Sequence, residues 1–217
     1  MAQKYCKFDS ESAKIRGSQS GKTLEKKSFR IFAGNPIHLK MQEIEAKVLE
    51  INREDLISKL QALGATLDFE DEFFAIYFDD EDRRLSGKQQ VLRIRKEGND
   101  LRMTFKAPHA DSQAGIRSRE EMELPIGDFE MMRIILQRLG YVEYLKMRKI
   151  RTQYSLDGTH IVIDTHIDDL AFIPPYLEIE APSHEALFEM ADRLGIQRDQ
   201  LIDWNAAKVM EYYRERG

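Results

Sequence analysis

The chain has 217 residues, 42% hydrophobic and 33% charged, with a formal net charge of −5. That length fits one large domain, or one domain with an appendage, and no apolar run approaches the roughly 18 residues that a membrane span requires. Cys6 is the only cysteine and the five histidines are scattered, which excludes an internal disulfide and a zinc-type ligand spacing. The N-terminus lacks an apolar stretch of signal-peptide length, so a cytoplasmic protein is expected.

Charge is unevenly spread. Residues 1–40 carry nine Lys/Arg against three acids, and the rest of the chain carries 24 against 35. Residues 1–40 are rich in Ser, Lys and Gln without sustained periodicity and read as a basic, disordered N-terminal extension; residues 41–217 read as the folded domain. Gly17-Ser-Gln-Ser-Gly-Lys-Thr23 has three residues between its glycines where a phosphate-binding loop has four, and no apolar strand precedes it, so it is not read as one.

In chain order, residues 42–50 alternate charged and apolar side chains and read as a strand. Asn52 caps a helix carrying Leu56, Ile57, Leu60 and Leu63, with Gly64 as its stop. Residues 72–78 form a second strand. Strands at 90–97 and 100–107 make a hairpin around Gly98-Asn99, and residues 116–125 form the next strand. Asp128 starts a helix to Leu139, ended by Gly140. Strands at 145–155 and 159–167 flank Asp157-Gly158, and Pro174-Pro175 introduce a strand over 176–180. Ser183 starts a helix to Leu194, and a final helix spans about 203–214 with Trp204, Val209, Met210 and Tyr213 on its buried side. About eight strands and four helices, linked by hairpins or helical excursions, predict an α+β fold: an eight-stranded antiparallel barrel with helices packed outside.

Residues two apart on a strand share a face. Glu43, Glu45 and Lys47 therefore share one face while Ile44, Ala46 and Val48 share the other. The same alternation recurs for Arg93/Arg95, Lys106, Glu121/Glu123, Lys149/Arg151, Asp164 and Glu178/Glu180. A sheet with one solvated face alternates in the same way. Three Glu-x-Glu pairs favour the other arrangement, because like charges on one face repel and mere solvation does not require them. The charges then line an enclosed, wet tunnel and the apolar faces meet helices. Lys47, Arg93, Arg95, Lys106, Lys149 and Arg151 suit a polyanion. Glu43, Glu45, Glu121, Glu123, Asp164, Glu178 and Glu180 suit a hard divalent cation.

Glu43-Ile-Glu-Ala-Lys47 resembles the Glu-x-Glu-x-Lys signature of the CYTH proteins, or triphosphate tunnel metalloenzymes. Later motifs follow in the family's order: Asp82-Arg-Arg-Leu85, Val91-Leu-Arg-Ile-Arg95, Thr104-Phe-Lys106, Arg119-Glu-Glu-Met-Glu123, Lys149-Ile-Arg151 with Tyr154, and Ile173-Pro-Pro-Tyr-Leu-Glu-Ile-Glu180. The likeness covers roughly residues 41–214 and is greatest to the branch grouped with class IV adenylate cyclases. It implies a tunnel binding a triphosphate with Mg²⁺ or Mn²⁺. Glu43, Glu45 and Lys47 are then the catalytic candidates. Lys47, Arg93, Arg95, Lys106, Lys149 and Arg151 would hold the triphosphate, and Glu43, Glu45, Glu121, Glu123, Asp164, Glu178 and Glu180 the metal. Asp168 competes with Asp164 for the metal-side aspartate.

The expected activity is metal-dependent hydrolysis of tripolyphosphate or of a nucleoside or thiamine triphosphate. The alternatives are a class IV-type adenylate cyclase making cyclic AMP and pyrophosphate, and a non-catalytic polyphosphate-binding module. The expected partner is a small-molecule triphosphate, with no membrane and no specific nucleic acid, for a monomer or homodimer.

Overall fold

Eight strands close into an antiparallel barrel in the order β1-β5-β4-β3-β2-β6-β7-β8. The computed structural model describes residues 38–216 apart from Asp111 and Gln113, and for residues 38–43 the backbone alone. The glycine-rich stretch 17–23 and nearly all of the basic extension lie outside the described residues. The strands are β1 His38–Val48, β2 Thr66–Asp79, β3 Val91–Glu97, β4 Asp100–Pro108, β5 Arg117–Pro125, β6 Val142–Leu156, β7 Thr159–His166 and β8 Tyr176–Ala181. Five α-helices are described: α1 Arg53–Ala62, α2 Arg84–Gly87, α3 Phe129–Arg138, α4 His184–Leu194 and α5 Ala206–Arg214. None is long and apolar enough to cross a membrane.

Local chemistry explains the boundaries. The side chains of Asn52, Asp128, Ser183 and Asn205 each accept a hydrogen bond from a backbone N–H in the first turn of α1, α3, α4 and α5, satisfying donors that a helix leaves orphaned. Asp157 and Gly158 both adopt positive φ, 49° and 78°, as a two-residue hairpin turn matching the strand twist requires. The sequence reading began β1 at residue 42 and β2 at residue 72; the strands begin at His38 and Thr66. Residues 66–72 of β2 are mostly exposed and charge-rich, with only Leu67 and Phe69 alternating with acids, too short a run to mark a strand; pairing with the similarly long β6 makes them one. The polar stretch before β3 has no apolar periodicity, yet α2 forms within it at Arg84–Gly87.

The outer apolar faces go where the alternation sends them. Ile44, Ala46 and Val48 of β1 pack with Leu56 and Leu60 of α1 and Leu187 and Met190 of α4. Ile76, Phe78, Leu92 and Ile94 meet Leu136 of α3, with Met103 and Phe105 against the same cluster. A third cluster departs from the expected plan. Phe73, Ala75 and Tyr77 of β2, Met147 of β6 and Tyr176 of β8 occupy the inward register positions, yet they are apolar and pack with Val209 and Tyr213 of α5. The bore is thus apolar at one end, and α5 stands across that end instead of against the outer wall. Ile202 fixes the approach to α5: its backbone pairs with that of Lys47 through N–H···O bonds of 2.9 and 3.0 Å.

Candidate active site: an ionic bore

Period-two alternation on eight strands turns the charged side chains inward, and they surround a cavity of about 240 Å³. Glu45, Lys47, Arg93, Arg95, Lys106, Glu121, Glu123, Lys149, Arg151, Glu178 and Glu180 all line it. Asp164 is fully buried in the wall behind Lys149 and Arg151. Asp168 lies outside, in an exposed pair with Arg148 at 2.7 Å, so of the two aspartates only Asp164 joins the cluster. Glu43 sits opposite Arg119 in the β1–β5 register; its side chain lies outside what the structure describes.

The charges are strongly paired. Lys47 Nζ lies 2.8 Å from Glu178 and 3.6 Å from Glu45. Arg151 donates from Nε and Nη2 to the two oxygens of Asp164, each at 2.9 Å, and reaches Glu178 at 3.2 Å. Lys149 also pairs with Asp164. Lys106 lies 3.2 Å from Glu121 and Arg95 lies 3.1 Å from Glu123, which also accepts from Thr104 at 2.9 Å. Such pairing lets charges persist away from bulk water. Burial disfavours the carboxylate of Glu178, yet Lys47, Lys149 and Arg151 hold its pKa well below the usual range.

The cations are nevertheless crowded. Lys149 Nζ, Arg151 Cζ and Arg93 Cζ lie 4.6, 4.8 and 5.7 Å from the centre of one ring, Phe73, three positive charges sharing a single π-face environment. Among the described residues no carboxylate lies within ion-pair distance of Arg93, whose guanidinium instead contacts the Tyr77 hydroxyl at 3.5 Å. Burial and Arg151 push the Lys149 ammonium below its usual pKa, and burial and Arg93 do the same to Arg95. Burial and Lys149 lower His166 to about 4, leaving a neutral imidazole at pH 7. The Tyr176 hydroxyl, on the cavity wall, is buried without a hydrogen-bond partner. A polyanion would relieve all of this at once. Binding tripolyphosphate should therefore raise the Lys149 pKa, so that protons are taken up on binding between the depressed value and about 10.4, the ordinary lysine value. Titration calorimetry in alkaline buffers of different ionisation enthalpy should show net proton uptake, and Lys149→Met should remove it.

The carboxylates fit a hard cation by chemistry but not as a ready cage. Glu45 and Glu180 face each other directly across β1 and β8, a like-charge pair that is unfavourable without a cation between. Among the described residues no three His, Cys, Asp or Glu side chains converge closely enough to hold a metal. That pattern suits Mg²⁺ or Mn²⁺ shared between one or two carboxylates and substrate phosphates, with no dedicated protein cage.

Sequence reasoning missed several liners. Glu97 and Gln153 continue the inward faces of Arg93/Arg95 and Lys149/Arg151, so extending the period by one step would have found them. Arg119 shares its face with Glu121 and Glu123. His160 precedes Asp164 on the same face of β7. Asn205 and Ala206 had no signal, because they reach the cavity only through the placement of α5.

A closed antiparallel barrel whose bore combines clustered cations with opposed carboxylates defines an ionic tunnel protein. The CYTH domain family model matches residues 41–203, and the chain belongs to the CYTH domain family. It is 31% identical over 174 residues to a protein of Methanocaldococcus jannaschii named as a candidate adenylate cyclase, covering 75% of this chain and 94% of that one. A conserved hypothetical protein of Pyrococcus furiosus shares the fold with a TM-score of 0.64 at 23% identity, over 77% of this chain and 99% of that one. A Hippeastrum protein, described as a candidate adenylyl cyclase with a dominant triphosphatase activity, superposes with a TM-score of 0.56 at 17% identity, over 78% and 95% of the two chains.

Proposed function

We propose that this protein is a divalent-metal-dependent hydrolase of triphosphates, with inorganic tripolyphosphate the substrate that best suits its bore. The observation that carries this reading is the convergence of Lys149, Arg151 and Arg93 on the Phe73 ring, with Arg93 lacking a described carboxylate partner. Cavity size favours a small ionic substrate. At about 240 Å³ the bore falls below the ~300–1,000 Å³ of typical organic-ligand pockets, and its lining is mainly charged.

In this reading Lys47, Arg93, Arg95, Lys106, Lys149 and Arg151 spread the charge of the phosphate chain and hold it extended along the bore, as positioning and electrostatic stabilisation require. Glu45, Glu178 and Glu180, with Glu43, Glu121 and Glu123, supply oxygens for the cation, and Asp164 fixes Lys149 and Arg151 from behind. A divalent cation bound there supplies phosphate-charge neutralisation and a lowered pKa for an attacking water. Glu45 stands next to Lys47, where it orients both the cation and the lysine.

A second reading, adenylate cyclase, is favoured by the name of the M. jannaschii relative. The same cations would hold ATP while its ribose 3′-hydroxyl attacks the α-phosphorus. Incubation with tripolyphosphate, ATP and thiamine triphosphate, each with Mg²⁺ and Mn²⁺, separates the readings. Orthophosphate release is expected; cyclic AMP would establish cyclisation, and binding without turnover a polyphosphate-binding module. Glu45→Ala and Arg95→Ala are each expected to lower turnover by about 10²–10³-fold, comparable to removing a principal electrostatic stabiliser. Full activity in both would place the chemistry elsewhere.

A further inference from the structure

Arg119 reaches the cavity from β5, is only 3% exposed, and donates from Nη2 to the backbone carbonyl of Gln89. Gln89 belongs to the link between β2 and β3, on the far side of β4 from Arg119 in the strand order. Its φ is +56°, a left-handed conformation unfavourable for a residue with a Cβ. That conformation helps set where its carbonyl points.

The link is held from below by Asp79, the last residue of β2. Asp79 is fully buried, and no ligand-binding role in the bore engages it. Its Oδ1 accepts from the backbone N–H groups of Asp80 and Leu85, both at 2.9 Å. Its Oδ2 accepts from the Ser86 N–H at 2.9 Å and from the Ser86 hydroxyl. Four donors on one carboxylate freeze the short helix α2, and the turn after it is closed by Gln89 N–H to Ser86 O at 2.9 Å and Gln90 N–H to Leu85 O at 2.8 Å. Val91 then enters β3 as a cavity liner. A buried carboxylate is stable only when its lone pairs are satisfied in this way, and here the satisfied group fixes a loop that touches a guanidinium in the bore.

We infer that Asp79 and the Gln89 carbonyl are positioning residues that set the aim of Arg119, making the β2–β3 link part of the triphosphate site. This rests on the triphosphate reading proposed above. Arg119 touches the ligand; Asp79 acts through Gln89 and does not.

The test compares Gln89→Gly with Gln89→Val in the full-length protein. Glycine tolerates positive φ and keeps the carbonyl in place, whereas a β-branched residue resists that conformation. Tripolyphosphate affinity, measured by calorimetry with Mg²⁺, should be unchanged in Gln89→Gly and about tenfold weaker in Gln89→Val, the lower end for a charge-assisted hydrogen bond. Thermal melting checks that both variants are folded. In an Arg119→Gln background Gln89→Val should add nothing, because the two act as one unit; a merely structural role would give additive losses. Asp79→Ala should weaken binding as Gln89→Val does; if it fails to fold, the Gln89 pair still decides. Wild-type affinity in Gln89→Val, or additivity with Arg119→Gln, overturns the inference alone. Failure of the wild-type protein to bind tripolyphosphate overturns the functional reading, and the inference with it.

Discussion

Arg93→Met is expected to weaken tripolyphosphate binding by about 10–100-fold, the range for losing charge-assisted hydrogen bonds, with no loss of thermal stability. The two halves of this expectation have separate causes. Arg93 lines the bore in which the phosphate chain is proposed to lie, and its polar contact is a tyrosine hydroxyl at 3.5 Å. Removing it strands no carboxylate. It also takes one positive charge away from Arg95, which Arg93 helps to depress, and from the ring shared with Lys149 and Arg151. Calorimetry and a melting curve on the same sample check both halves. A melting temperature that falls together with affinity would show that Arg93 serves the fold.

Arg151→Met should behave in the opposite way toward stability, destabilising the protein by about 3–5 kcal/mol, the cost of breaking a buried ion pair from one side. Asp164 receives both of its Arg151 bonds at 2.9 Å and has no exposure to solvent. Burial alone disfavours its charged form, and Arg151 and Lys149 hold the pKa below the usual value. Without Arg151, the carboxylate must stay charged against Lys149 alone or take up a proton. Because the folded pKa is depressed, the stability from this group is present above the unfolded pKa, near 3.9, and lost as pH falls through the folded value. The variant should therefore differ most from wild type near neutral pH and converge with it in acid. Chemical denaturation at pH 7 and at about pH 3 checks this. The triple variant Lys149→Met/Arg151→Met/Asp164→Leu, which removes Asp164 together with both cations paired to it, should recover much of the loss, since apolar groups of similar volume often replace buried ionic clusters without cost.

Much of this was legible in the chain itself. The caps at Asn52, Asp128 and Ser183 follow from side-chain oxygens placed just before periodic apolar runs, and Asp157-Gly158 marks its hairpin by conformational preference. The inward set followed from a period of two, because a residue such as Lys106 has no other face to occupy once Met103 and Phe105 take the helix side. Three things lay beyond that rule. Residues 66–71 of β2 offer only Leu67 and Phe69 between acids, too short an alternation to stand out, and their partner on β6 makes them a strand. Phe73, Ala75 and Tyr77 sit on the inner face although they are apolar, since α5, nearly 130 residues later in the chain, returns to cover them. Arg119 lies in the right motif, but its importance depends on a carbonyl supplied by a distant turn, which no local pattern encodes.

The internal ion pairs have a consequence for selectivity. On the triphosphate reading, the cations proposed to grip a phosphate group, Arg93 apart, must first let go of a tethered acid: Lys47 of Glu178, Lys106 of Glu121, Arg151 of Asp164 and Glu178. Orthophosphate would displace only one or two of these partners and leave the neighbouring ion pairs intact. A longer chain exchanges several counter-ions in one event. On that reading the bore is expected to hold the intact chain more tightly than its hydrolysed fragments.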